Sequence, residues 1–487
     1  VGSPGVQLGV LLGAALAVRL GAYALCGGIL HGDEIFQYME PAHRLVFGDG
    51  IVTWEWRVGI RSWLFPGVLA GVMQVARLVG DGPAVQNAAV ALFLAVLSLP
   101  GVACCYLWGR QAAGDAGAVA AGVLAAGWSE LVLVGIHPLM DGVGAAILVP
   151  GVYLLQAGAV RGNRRMSFGA GLVLGLTVAL RLQLAPAVAW VVLRLGGPRL
   201  GACGGPAALG LSLVILLSGV LDWVTLGEPF QSVVRYVWIN GLGAADFYGV
   251  SPWYTYLVVL PWTTGVLLPL LGVCVWFGAR RLRLLAEIAG VILVSLSCVP
   301  HKEFRFLFPA FPFLLTLAGV GSARLGQRLR VPGQRPVVIA GVCAAVCVLH
   351  VRLAGSTVLW ASGVRVVEEM DRVSADPRAC GLAIVPPDKW YVSGGYSHLR
   401  PGIRLVAYDA SRPGPASGFD YVLALKAIDL SPHGMSLIEC PPPLRPDQVT
   451  PDMCLWRNPA GCSGPPAPLL TAPDPPFLAR VRADEHK

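Results

Sequence analysis

Two short stretches of this 487-residue chain gather groups able to move a proton or hold an anion, in a sequence where charged residues make up only 13%. The first is HGDE, in which Asp33 and Glu34 follow an apolar N-terminal block. A carboxylate in that position can act as a general base, taking a proton from a hydroxyl as its oxygen attacks a carbon centre. The alternative for both acids is helix capping, because Asp is favoured at a helix start and acids suit its first turn. Glu40, His43, Arg44, Glu55, Arg57 and Arg61 follow closely, making 31–62 the most charged region before the C-terminal part and weighing against a simple cap.

The second stretch is VPHKEFRF, residues 299–306. His301, Lys302 and Arg305 are three cationic or potentially cationic groups, the chemistry needed to hold a phosphate and stabilise it as it leaves, with Glu303 to organise them. An interfacial anchor with snorkelling side chains explains Lys302 or Arg305 singly. It does not explain His, Lys, Glu and Arg together inside an otherwise apolar block. Three further features each carry two readings. His137 and Asp141, in GIHPLMDGV, touch a polar substrate or form a helix-start pair; Arg181 is a phosphate ligand or a topological charge. The loop 228–254, with Tyr248 and Trp253, is an interfacial aromatic belt or a wall for a sugar.

The elements that must position these groups are set by hydropathy. A hydrophobic fraction of 55% and mean hydropathy of +0.66 come in blocks of about twenty residues, long enough to cross a bilayer core of roughly 30 Å. An all-α polytopic membrane protein is expected, with about eleven spans at 5–28, 84–108, 116–135, 139–159, 167–180, 182–196, 205–223, 253–278, 284–300, 303–322 and 335–355. The first block lacks a charged leader and a small-residue cleavage site and reads as a retained helix. The formal charge of +8 does not indicate nucleic acid, because the Arg and Lys residues sit in short loops and not on one aromatic-interleaved face.

One set of loops holds thirteen arginines between Arg110 and Arg335 and is placed in the cytoplasm by the positive-inside rule. The other set holds 31–83, 136–138, 226–252 and 300–302, so the polar chemistry falls on the non-cytoplasmic face of an integral membrane protein. Parity requires the apolar run 63–79 to lie along the interface. It then puts everything after about residue 351 outside.

Three domains are expected: a membrane catalytic part at 1–360, an α/β domain outside the membrane at 361–457, and a Pro-rich tail at 458–487. Residues 363–376 read as an amphipathic helix, and 380–385, 403–409 and 421–425 as short buried strands. The tail is too rich in Pro and Gly for a packed element and is expected to lie on the domain surface. Of twelve cysteines, eight fall in or beside spans. The other four, Cys380, Cys440, Cys454 and Cys462, suggest two disulfides in an oxidising compartment, with three possible pairings. No Cys/His spacing suggests a metal, and no cofactor is called for.

HGDE, TWEWRVGIRSWLFP at 53–66, FYGVSPWYTYL at 247–257 and HKEFRFLFPAFP at 301–312 stand in the order found in glycosyltransferase family 22. The chain resembles this family of lipid-phosphate-mannose-dependent α-mannosyltransferases over roughly residues 5–320. The resemblance implies a GT-C-type fold, a polyprenyl-phosphate sugar donor and a glycolipid or glycan acceptor. It implies that Asp33 is the base, with Glu34 its rival, that the sugar carbon inverts, and that His301, Lys302 and Arg305 serve the donor phosphate. Trp54, Glu55, Trp56 and Arg61 match the family's TWEW and RS positions and would shape the acceptor side. His137, Tyr248 and Trp253 join them, and Arg181 joins the phosphate ligands, on the residue-level readings above.

The chain departs from the pattern at Gly32, where many relatives carry Pro, and at HPLMDGV and LRLQLAP, which leaves acceptor and sugar open. An Ala/Gly/Val/Arg bias and compact length fit a bacterial inner-membrane member acting as a monomer on a bacterial polyprenyl-phosphate sugar. Protein O-mannosylation and sugar transfer to a lipid-A-type glycolipid are alternatives within the fold. A lipid or sugar transporter is the reading outside it; against it, the charges cluster at one face and no internal repeat is visible.

Overall fold

The computed structural model describes residues 3–241, 247–330, 335–411, 417–444, 451–463 and 467–479. Parts of the aromatic loop (242–246), of the last basic loop (331–334) and of the tail (464–466 and 480–487) lie outside the described residues. The chain divides into two compact units. One comprises Val1–Ala22, Leu94–Phe230 and Gly243–Thr357, the other Tyr23–Phe93, Gln231–Leu242 and Val358–Lys487.

The first unit is helical. Across the described residues seven helical segments are long and apolar enough to cross a membrane: Pro4–Cys26, Pro83–Gly127, Met140–Arg161, Leu200–Leu226, Thr255–Ala279, Phe304–Arg328 and Pro336–Leu353. The expected count of eleven is not reproduced, for two reasons. The expected spans 84–108 and 116–135 are carried mainly by one 45-residue run broken at Ala113 and Gly114, where Gly114 takes φ 65°. This run ends at Gly127, and a separate short helix, Ser129–Val134, follows. Three other expected spans are short helices, Arg164–Leu180, Leu182–Gly196 and Arg283–Ser297. A 15-residue helix is only about 22 Å long at 1.5 Å per residue, less than the bilayer core.

Close helix packing in this unit depends on small residues. Gly171 and Gly175, spaced as GxxxG on Arg164–Leu180, lie against the backbone of Ala207 and Leu211 on Gly205–Leu226, where any Cβ would collide. Gly278 and Gly321 do the same between Leu268–Ala279 and Phe311–Arg328. Without a hydrophobic drive between helices in lipid, such backbone proximity is what supplies van der Waals contact.

The second unit contains the loop after the first helix and the C-terminal sheet. A helical run begins just before Glu34, passes through a π-helical turn, Glu34–Met39, and continues as Glu40–Phe47 to a left-handed Gly48. The helix Leu64–Ala76 packs against Glu40–Phe47. At 13 residues it is too short to span, as expected for 63–79.

The sheet has strands β1 (Gly381–Val385), β2 (Arg404–Ala407), β3 (Tyr421–Leu425), β4 (Ser436–Glu439) and β5 (Met453–Arg457), in the order β2-β1-β3-β5-β4. β1 pairs parallel with β2 and β3, with Leu382 opposite Tyr421, whereas β5 runs antiparallel to β3 and β4, with Tyr421 opposite Arg457. The amphipathic helix Val364–Ala375 buries Val366, Met370 and Val373. Strands β4 and β5 were missing from the sequence reading. The strands are only four and five residues long, with apolar runs of two residues in SLIE and four in MCLWR, and prolines at 441–443 and 451 flank them.

The four candidate cysteines pair as Cys380–Cys462 and Cys440–Cys454. The described tail is tied to the sheet edge: the Leu470 N–H donates to Leu405 O at 2.9 Å, the Ala407 N–H to Pro468 O at 2.9 Å, and Leu478 is buried.

Candidate active site

Asp33 sits inside the helical run, at φ −60° and ψ −35°, and makes no capping bond. A true N-cap residue has extended backbone, so the cap alternative fails for it. Its carboxylate lies 3.6 Å from His31 Nδ1, and the side chains of His31 and Asp33 are 41% and 27% exposed. Glu34 is buried, and its Oε1 accepts the backbone N–H groups of Leu30 at 2.5 Å and His31 at 3.4 Å. Of the two adjacent acids, Glu34 therefore holds the turn together and Asp33 remains accessible.

The TWEW segment surrounds a second buried acid. Glu55 accepts from Gln37 Nε2 at 2.9 Å, Thr53 Oγ1 at 2.9 Å and Arg61 Nη2 at 3.0 Å. Burial disfavours the Arg61 charge, but Glu55, then Tyr38, Asp33 and Tyr236, outweigh it and hold the guanidinium firmly cationic. The Trp54 ring meets Phe477 edge-on at 5.1 Å, and Trp56 packs on Trp63 at 4.6 Å. Glu55 and Arg61 thus brace this loop.

In the sequence Glu40 stands only as one member of a charged region, and the structure gives it a role. It is fully buried, with Oε2 accepting from Ile51 N–H at 2.7 Å and Oε1 from Ser397 N–H at 2.8 Å. Burial pushes its carboxyl above the usual range, opposed by His43 and by the backbone donors. Gly395, at φ 64°, passes so close that a Cβ would overlap the Glu40 carboxyl. The Glu40–Pro41 pair at the head of Glu40–Phe47 is all that the local sequence shows of this contact.

In the helical unit the predicted cations converge around Asp141, which is 1% exposed. Arg181 Nη2 lies 2.6 Å from Asp141 Oδ1 and Arg305 Nη1 3.7 Å from Oδ2. The helix Arg164–Leu180 stops at Arg181, whose φ of −139° and ψ of 88° leave the helical region and take the side chain out of the helix register. Arg305 forks onto Glu303, Nε to Oε2 at 2.6 Å and Nη2 to Oε1 at 2.9 Å. Both guanidinium groups lie over the Phe306 ring, at 4.8 Å for Arg181 and 5.5 Å for Arg305.

His301 joins through Glu303 Oε1, 3.1 Å from Nε2, while Nδ1 lies 2.9 Å from Gly249 O. Both ring nitrogens face acceptors, which suits the doubly protonated imidazolium. The bond to Glu303 is the chief reason that its pKa is raised, burial opposing. Lys302 turns elsewhere, donating to Ser251 O at 2.9 Å and Val299 O at 2.5 Å, and so ties the aromatic loop to the HKE segment. Tyr248 meets His301 at 6.1 Å between rings, and Tyr248 and Trp253 are 49% and 68% exposed. His137 is buried just before the helix that carries Asp141. Asp141 itself, one of a pair with two readings in sequence, is the counter-ion that draws Arg181 and Arg305 together. The arrangement can present cationic edges to an anion while an internal carboxylate limits their mutual repulsion.

The sequence profile of the Alg9-like mannosyltransferase family matches residues 11–400. GPI mannosyltransferase 3 of Yarrowia lipolytica is 28% identical over 335 residues, covering 61% of this chain and 59% of that protein. GPI alpha-1,2-mannosyltransferase 3 of Homo sapiens is 25% identical over 309 residues, covering 60% and 54%. The chain thus spans somewhat more than half the length of these curated relatives. Among solved structures, ArnT from Cupriavidus metallidurans bound to undecaprenyl phosphate superposes with a TM-score of 0.57 at 14% identity, over 95% of this chain and 100% of that one. That likeness is one of fold, the GT-C fold, and with the apolar helices it makes this an integral membrane protein. The match over most of its length decides the family: this chain belongs to the Alg9-like mannosyltransferases, built on the GT-C fold.

Proposed function

We propose that the protein transfers a mannosyl residue from a polyprenyl-phosphate sugar to a hydroxyl of a glycolipid or glycan, with inversion at the anomeric carbon. Asp33 takes the proton from the attacking hydroxyl, the new glycosidic bond forms on the face opposite the leaving group, and polyprenyl phosphate departs. Arg181, Arg305 and His301 meet the phosphate charge, with Glu303 and Asp141 organising them. Lys302 positions the aromatic loop beside them. Trp54, Glu55, Trp56, Arg61, His137, Tyr248 and Trp253 shape the acceptor and sugar surroundings. The reaction takes place on the non-cytoplasmic face, where the positive-inside rule puts both motifs. No metal is assigned, since these cations suffice to neutralise a departing phosphate.

The observation that carries this reading is the contrast between the two neighbouring acids: Glu34 is bound by backbone amides, while Asp33 is left accessible on a fixed helical turn. The relatives' names as mannosyltransferases support the choice of sugar, and the undecaprenyl phosphate bound to the ArnT structure supports a lipid-phosphate donor. Purified protein given a polyprenyl-phosphate-mannose donor and a membrane glycolipid fraction is expected to release polyprenyl phosphate and label the acceptor. Full transfer by Asp33→Asn would overturn the base assignment.

A further inference from the structure

The sheet-bearing part of the second unit contributes a loop to the surroundings of Asp33. This loop opens as a 3-10 stretch, Pro387–Val392, kinked at Lys389 where φ −90° and ψ 17° depart from helical values, and runs on to His398. It is pinned twice to the segment that carries Asp33. Trp390 meets the buried Phe36 edge-on at 4.6 Å, and further along Ser397 N–H is held by Glu40. The backbone is equally close: a Cβ on Gly32, the residue before Asp33, would stand 3.5 Å from Tyr391 O. Trp390 anchors the loop, and its neighbour Tyr391 is left 47% exposed.

Beside that exposed ring stands an ion pair. Lys389 Nζ lies 3.5 Å from Asp388 Oδ2, with side chains 32% and 68% exposed. The same ammonium is 5.7 Å from the Tyr391 ring centroid and 3.5 Å from its hydroxyl. A large aromatic left in solvent on a doubly anchored loop, flanked by one acceptor group and one donor group, is poorly explained by packing. It matches the needs of a saccharide, whose C–H face lies on an aromatic ring while its hydroxyls both donate and accept. A phosphate fits less well, because Asp388 already offsets the Lys389 charge and repels a second anion.

The geometry points to a shelf formed by Asp388, Lys389 and Tyr391 that binds a neutral sugar ring of the acceptor next to Asp33. The inference rests on the reading of Asp33 as the base and deepens it, since it gives the C-terminal sheet a part in selecting the acceptor. Tyr391 acts here as a specificity residue, and Trp390 and Phe36 position it.

The test is binding of methyl α-mannopyranoside to the full chain in lipid nanodiscs, followed by saturation-transfer NMR, beside acceptor KM in the transfer assay. Tyr391→Ala is expected to weaken binding and raise acceptor KM about tenfold with kcat little changed, the scale of one aromatic contact. Tyr391→Phe should restore both, Lys389→Ala should give an intermediate loss, and Asp33→Asn should bind like the parent. Melting temperatures unchanged by these surface substitutions separate recognition from folding. No detectable binding by the parent protein, or parental binding and KM in Tyr391→Ala, overturns the shelf. If the sugar binds in a Tyr391-dependent way but no transfer occurs, the shelf stands and the transferase reading falls.

Discussion

Arg181 and Asp141 meet at 2.6 Å where the carboxylate is 1% exposed, and Arg305 approaches the other oxygen of the same acid at 3.7 Å. One buried carboxylate thus sets the spacing of two guanidinium groups that stand far apart in sequence. Removing one partner of a buried pair leaves an uncompensated charge, at a cost of about 3–5 kcal/mol. Asp141→Ala is therefore expected to lower the melting temperature in detergent by several degrees, and Asp141→Ala with Arg181→Met to recover part of the loss. Equal melting of parent and single variant would show that the pair bears no such strain.

The two adjacent acids should separate kinetically. Asp33→Asn keeps the shape but removes the proton acceptor, and kcat is expected to fall by about a hundredfold or more with folding intact. Glu34→Gln keeps an oxygen for the Leu30 N–H, so it should lose stability by about 1 kcal/mol while retaining most of kcat. Steady-state kinetics and melting curves on the same preparations check both expectations. The reverse pattern would exchange the roles of the two residues.

His301 provides a pH signature. Its pKa is raised from the ordinary 6.5, chiefly by the bond to Glu303, so the folded protein binds this proton more tightly than the unfolded chain does. The stabilisation is complete below pH 6.5 and is lost as pH climbs through the raised value. Donor affinity that uses the imidazolium should fall across the same interval. Glu303→Gln is expected to move the inflection back towards 6.5, and His301→Gln to abolish it, as read from donor KM against pH. An inflection that survives His301→Gln assigns it to another group.

The tail is a strap that can be cut. Arg57 bonds Asp474 through Nε at 3.1 Å and Nη2 at 2.5 Å, and also donates to Ala472 O at 2.8 Å. Both side chains are about a third exposed, so solvent screening limits the ion pair to about 1 kcal/mol. Asp474→Asn combined with Phe477→Ala is expected to leave the fold intact and to speed protease cleavage within 467–479, followed by mass spectrometry. Unchanged cleavage would mean that the sheet-edge bonds to Leu405 and Ala407 hold the strap by themselves.

Part of this architecture was readable from composition and period. Long apolar blocks required membrane helices because a bilayer leaves backbone groups no partner but their own helix. The break near residue 114 showed as a polar, Gly-containing gap, and β1 to β3 as buried apolar runs between turns. The span count was less legible, because apolarity shows that a helix is buried in lipid or protein without showing which. Arg164–Leu180, Leu182–Gly196 and Arg283–Ser297 are apolar and short.

HGDE and HKEFR identified the groups able to do chemistry, because residue type alone sets what a side chain can donate, accept or carry, and their order along the chain marked the family. The partnerships were decided by tertiary structure. Glu34 Oε1 accepts the Leu30 N–H and so holds its own turn. Lys302 turned to backbone carbonyls, Asp141 became the counter-ion of two arginines, and Glu40 became the clamp on a loop more than 350 positions away. Each of these depends on which other polar group reaches the same buried space. For Lys302 with Ser251, Asp141 with Arg181 and Glu40 with Ser397, distances of about 3 Å between segments remote in sequence decide that, and no local pattern of residues encodes them.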